Sequence, residues 1–97
     1  MEMQMDEIIT YLRNHSAADK PISGRILAEK FGITDQKIRE YVNRARQDGI
    51  PICSARWGYF YSEDKSQIRK TIDSMRGRIA SQELAIDGLS ALLHGAA

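Results

Sequence analysis

The sequence predicts a mainly α fold with one small β-hairpin, closed by a long C-terminal helix of coiled-coil type. Three observations carry this. Two short amphipathic helix patterns meet at Gly32-Ile33-Thr34. The second ends at Asp48-Gly49 and gives way to two short β-branched and aromatic stretches around a turn at residues 55–58. From Ile68 onward, apolar residues recur at alternating steps of four and three, which is the mark of a heptad.

Each element has its own signal. Met5, Ile8, Ile9 and Leu12 repeat at helical spacing and predict a first helix over about residues 4–14. Residues 15–21 form a polar loop, and Pro21 bars a helix from running through it. Ser23 is the expected N-cap of a second helix that buries Ile26, Leu27 and Phe31, with Gly32 as its left-handed stop. Ile33 is expected to plug the turn. Thr34 caps the third helix, whose buried stripe is Ile38, Tyr41, Val42 and Ala45. Residues 50–54 are extended because the residue before Pro51 avoids the α region. Residues 59–61 form the returning strand, with Phe60 turned to the core and Tyr59 and Tyr61 to the other face. Trp57, beside the turn, is expected to pack the hairpin onto its own body.

In the C-terminal heptads, Ile72, Ile79, Ile86 and Leu93 take the a positions, and Ile68, Met75, Gln82 and Leu89 the d positions. Isoleucine at three a positions favours a parallel two-stranded coil. In this register Asp64 with Arg69, and Arg78 with Glu83, form complementary g–e′ pairs. Gly77 and Gly88 fall outside the seam, where each costs about 1 kcal/mol of helix propensity and no packing. Gln82 either fixes register or marks where the seam frays. The seam spans roughly 38 Å at 1.5 Å per residue, more than a domain of this size can cover. Packing of the stripe on its own domain is the simpler alternative, but it leaves part of the stripe for another chain. The chain therefore divides into a domain over residues 1–62, an oligomerisation helix over 63–94 and a disordered tail over 95–97.

Composition narrows the class of function. The 97 residues, 42% hydrophobic and 28% charged, are those of one ordinary globular domain with an appendage. No apolar run approaches the roughly 20 residues that cross a bilayer, and the acidic start MEMQMDEIIT is not a signal peptide. The single cysteine, Cys53, excludes an internal disulfide and a multi-cysteine zinc site; it reads as a small buried hydrophobe in a reducing compartment. His15 and His94 have no partners at catalytic spacing, and no phosphate-binding glycine loop, HExxH or GxSxG occurs. An enzyme, a cofactor and a small-molecule ligand are not expected. Net charge is only +1, yet residues 20–60 carry eight basic against four acidic side chains, a local excess of +4. Such an excess fits a phosphate backbone and equally an ordinary solvated face.

The third helix carries the functional expectation. With Ile38 at the centre of the buried side and 100° per residue, Gln36, Glu40, Asn43 and Gln47 lie opposite. Lys37 and Arg44 flank that row on one side, Arg39 and Arg46 on the other. In a major groove, Gln and Asn of residues 35–47 can address adenine and Glu can address cytosine, while the basic flanks and Thr34 with its helix N-terminus reach phosphates, and the turn over 54–59 with Arg56 at its tip meets the backbone or the minor groove. A solvated helix face carries the same residue types.

Residues 27–52, followed after a short turn by Gly58-Tyr59-Phe60-Tyr61, resemble the winged helix-turn-helix family. The matching positions are Leu27-Ala28-Glu29, Gly32-Ile33-Thr34, Ile38, Val42, Asp48-Gly49, Ile52 and Gly58-Tyr59. The likeness is to the N-terminal DNA-binding type of the biotin-operon repressors and to small winged-helix proteins of phages and prophages. It covers about residues 5–62 and implies sequence-selective binding of double-stranded DNA through residues 34–44 and the wing. Ala45, where a larger aliphatic is usual, and Glu40, acidic on the DNA face, depart from the pattern. The expectation is a homodimeric DNA-binding regulator of a mobile element, in the bacterial cytoplasm or nucleoid. A packaging or replication accessory of higher oligomeric order, and an interaction module that inhibits a host complex without DNA, are the alternatives.

Overall fold

The computed structural model describes residues 3–95. The readings of residues 1–2 and 96–97, including the end of the proposed tail, lie outside them. Four helices and one hairpin follow in the order α1 (Met3–His15), α2 (Gly24–Phe31), α3 (Asp35–Gln47), β1 (Ile52–Ala55), β2 (Gly58–Tyr61) and α4 (Lys65–Leu93). The protein is thus mainly helical, with a two-stranded antiparallel hairpin and a long C-terminal helix.

The helix ends follow local chemistry. Ser23 and Thr34 cap α2 and α3, their hydroxyls accepting the N–H of Ile26 and Lys37. Gly32 and Gly49 take positive φ, 67° and 81°, after α2 and α3. At each, the next residue's N–H folds back to the helix, Ile33 to Ala28 and Ile50 to Ala45. Ile33 and Ile50 then pack against the core, the hydrophobic contact that accompanies this kind of helix stop. Asp64 caps α4, its carboxylate accepting the N–H and the hydroxyl of Ser66, each at 2.9 Å. That corrects the expected g–e′ pair: Asp64 precedes the helix and its carboxylate is engaged in starting it.

The core gathers Met5, Ile8, Ile9 and Leu12 of α1, Leu27 of α2, Ile38, Tyr41, Val42 and Ala45 of α3, and Ile52 of β1. Phe60 and Cys53 are buried as expected. Ile26 is not: it is 53% exposed. One residue before Leu27, it is rotated about 100° out of the face that α2 turns to the core.

Two hydrogen bonds, Ile22 N–H to Tyr59 O and Tyr59 N–H to Ile22 O, both 2.8 Å, add an isolated bridge on the far side of β2. Gly58 makes this approach possible, because a Cβ there would land on the backbone of Ile22 and Ser23. On the same strand, the Ser16 hydroxyl donates to Leu12 O and accepts the Tyr61 N–H, tying the end of α1 to β2.

The free edge of β1 is closed by side chains. Arg46 Nε donates to Ile52 O at 2.7 Å. Ser54 N–H donates to Thr71 Oγ1 at 3.2 Å, and that hydroxyl donates to Gln67 O. Thr71, at 5% exposure, is the one residue of α4 that is fully buried among those described. Ile68 and Met75 are half-buried beside it, whereas from Glu83 to Leu93 only Ser90 and Ala91 are shielded at all. The helix therefore docks by its first half and projects by its second, which lengthens the molecule to 53 Å against 31 and 24 Å.

Candidate nucleic-acid interface

The structure puts the expected reading row on one face. Gln36, Glu40, Asn43 and Gln47 are all exposed along α3, and Arg44 is exposed beside them. The burial of Ile38, Tyr41, Val42 and Ala45 explains why: the helix has one apolar stripe, and everything opposite it must face solvent. Lys37 is less open. Its ammonium lies 3.8 Å from Glu40 Oε2 and 5.0 Å from the centre of the Tyr41 ring. The ion pair offsets the negative charge of Glu40 at the centre of the row; on a surface it is worth about 0–1 kcal/mol.

The far flank differs from expectation. Arg46 does not stand free for a phosphate: its guanidinium turns back to hold the Ile52 carbonyl, lies 5.9 Å from the centre of the Tyr59 ring, and keeps Nη2 shielded and without a hydrogen-bond partner among the described residues. Burial pulls its pKa down; Arg78 adds a smaller effect in the same direction, and Tyr59 and Cys53 oppose it. The cause is the exposed edge of β1, whose carbonyl needs a donor. Arg39 remains exposed on this flank.

Arg56 occupies the hairpin tip as expected, 5.2 Å from the centre of the Trp57 ring. Trp57 corrects the reading made of it. It is 72% exposed and does not pin the hairpin to the body; Phe60 and the Ile22 bridge do so. Arg56 and Trp57 border a groove with Gly24, Ser74 and Arg78, so the tip adjoins α2 and α4 and shares that groove with no residue of the α3 row.

The seam residues divide into two sets. Ile68, Ile72 and Met75 border a crevice against Pro51, Ile52 and Cys53, so the first two turns of the stripe partly serve the domain itself. Ile79, Ile86, Leu89 and Leu93 are exposed, Leu93 to 85%, and Gln82 is exposed beside Arg39 and Arg78. Two residues matter most here: Thr71, which sequence reasoning passed over, and Arg78, which it placed in a g–e′ pair with Glu83. Thr71 falls at a polar g position and has no periodic signal; Arg78 lies in a groove with Arg39 and Gln82.

Among the described residues no helix is long and apolar enough to cross a membrane, and no group of three His, Cys, Asp or Glu could hold a metal ion. No family model matches the chain, and neither a curated protein nor a solved structure matches it.

Proposed function

We propose that the protein is a dimeric winged-helix DNA-binding protein, with α3 as its recognition helix and the β1–β2 hairpin as its wing. The observation that carries the reading is the exposed row Gln36, Glu40, Asn43 and Gln47. These side chains suit base edges, and they stand on a helix whose opposite face is locked into the core. Lys37, Arg44, Arg39 and the Arg56 tip supply the positive surround. Capped by Thr34, the N-terminus of α3 favours a phosphate.

Dimerisation rests on α4. Its second half carries Ile79, Ile86, Leu89 and Leu93 into solvent, with Gly88 among them. A bare helical end of this kind, weakened by a glycine, is marginal in water without a partner. A second copy paired along the a positions covers those isoleucines.

A gel-shift titration of the full chain with labelled duplex, repeated at rising salt, tests the reading. Duplex binding whose logarithm falls linearly with that of salt concentration is expected. Absence of binding at low salt would favour the interaction-module alternative, for which acidic Glu40 at the centre of the row is the specific observation.

A further inference from the structure

The groove between α3, the hairpin and α4 has a composition that DNA reading by the α3 row does not use. Arg39 and Arg46 enter it from α3, Arg78 from α4, and Ser54, Tyr59 and Gln82 complete its polar lining. Its volume is about 360 Å³, within the range of small-ligand sites. No carboxylate among the described residues lines it, and neither Arg39 nor Arg78 has an ion-pair partner among them.

Three converging cations with no counter-charge repel one another, and the effect is largest where water is partly excluded. Arg46 is also immobilised before any ligand arrives. Its Nε is held by Ile52 O, its central carbon lies 5.9 Å from the centre of the Tyr59 ring, and its Nη2 donor is shielded and without a partner among the described residues. Arg46 so fixed adds a positive charge that cannot swing away, while the exposed guanidinium forks of Arg39 and Arg78 are free to match a tetrahedral oxyanion. Val42 gives the same groove an apolar wall, and Met75, Ile79 and Gln82, which also line it, are seam positions where a second copy would close its outer side.

We infer that this groove binds a phosphate group, held by Arg39 and Arg78 beside the fixed positive charge of Arg46, between the helix that carries the outward row and the C-terminal helix. A small phosphate ester and a backbone phosphate of DNA share this chemistry. The site shares Arg39 with the positive surround of the DNA face but does not depend on the DNA reading, because Arg46 and Arg78 lie on the side of α3 toward α4 and not in the outward row.

The test follows the arginine Nε–H resonances of the full chain while pyrophosphate is added, with chloride at matched ionic strength as control. Saturable shifts of the Arg46 and Arg78 signals with pyrophosphate and none with chloride are expected. Arg39→Gln and Arg78→Gln, both at exposed positions, should each weaken pyrophosphate by about tenfold, as loss of a charge-assisted contact does. Arg25→Gln, on the outer side of α2, should bind as the parent. Arg46→Gln is avoided because that side chain also holds β1. Absence of a saturable shift, or pyrophosphate affinity unchanged in both Arg39→Gln and Arg78→Gln, would overturn the proposal. A second arm adds duplex DNA to the pyrophosphate-loaded protein. Displacement of pyrophosphate assigns the site to a backbone phosphate; simultaneous binding assigns it to a small ester. Pyrophosphate binding in a protein that ignores duplex upholds this site while refuting the DNA reading.

Discussion

Thr71→Val isolates the contact that joins the C-terminal helix to the domain. The parent hydroxyl accepts the Ser54 N–H at 3.2 Å and donates to Gln67 O at 3.1 Å, in a side chain only 5% exposed. Valine keeps the shape and removes the acceptor. Gln67 O loses little, since a helical carbonyl at that position also has its backbone bond. Ser54 N–H loses its partner where water has little access, which costs about 1–3 kcal/mol. The added methyl returns up to about 0.8 kcal/mol of apolar burial, leaving a net loss of roughly 1–2 kcal/mol. For a chain of this size that lowers the melting temperature by about 5–15 °C. Thr71→Ser retains the acceptor and serves as the control. Calorimetry gives the stability, and hydrogen exchange of the Ser54 amide gives the mechanism: the amide should exchange faster in Thr71→Val than in Thr71→Ser. Equal protection of Ser54 in the parent and Thr71→Val would refute the claim that α4 closes the strand edge.

Four further outcomes are expected. Lys37→Ala and Arg44→Ala should weaken duplex binding on all sequences and flatten its salt slope, whereas Gln36→Ala and Asn43→Ala should relax sequence preference by roughly 1–3 kcal/mol per lost base contact; four variants indistinguishable from the parent in a gel-shift series would mean the face is misassigned. Gly58→Ala puts a methyl on the Ile22 and Ser23 backbone, so overpacking of about 1–3 kcal/mol and faster exchange of the Ile22 amide are predicted. Hydrogen bonds from Ser66 hold the Asp64 carboxyl below its ordinary pKa. The folded state therefore gains from its ionised form above the ordinary carboxylate range and loses that gain as pH falls through the depressed value. Asp64→Asn should remove this acid-range fraying of α4, read by circular dichroism. Ile79→Asp should abolish dimerisation in sedimentation while residues 5–61 stay folded, and duplex affinity should drop with it; a parent that sediments as a monomer sinks the dimer reading.

Periodicity and caps made most of the fold legible in advance. The buried stripe of α3, the stop at Gly32 and the caps at Ser23 and Thr34 are local matters, and local chemistry settles them. What stayed hidden depends on where elements meet. Ile22 forms one bridge from a single residue, too short a strand for any alternation to announce. Asp64 fits a heptad position as well as a cap, and only the start of α4 at Lys65 decides between them. Residue type alone points Ile26 and Trp57 inward, yet α2 and the tip turn them out. For the candidate site, the outward row of α3 followed from helical rotation, whereas the diversion of Arg46 did not. That diversion follows from the open edge of β1, and the edge exists only once the hairpin has been placed beside α3.

The two faces of α4 bear on how such a dimer would act. Thr71 turns to the domain, and Ile72, one residue on, lies about 100° around the helix. The row Ile72, Ile79 and Ile86 repeats every seven residues from there; Ile72 still borders the crevice against β1, and exposure rises along the row toward Ile86. Docking on β1 and pairing with a second chain therefore meet at the first turns of the stripe, and pairing has the stripe to itself from Ile86 onward. The connection from β2 to α4 is only residues 62–64, and it is itself held, Ser62 N–H to Pro51 O and Asp64 N–H to Ser62 Oγ. A coil joined this way is not a loose tether. It would fix the separation and direction of two α3 helices, so half-site spacing in the target should be strict, and inserting a few base pairs between half-sites should abolish the avidity of the dimer. Weakening Thr71 should relax that strictness before it costs the fold. A coupling between strand-edge closure and spacing tolerance would not arise if α4 merely linked two independent domains.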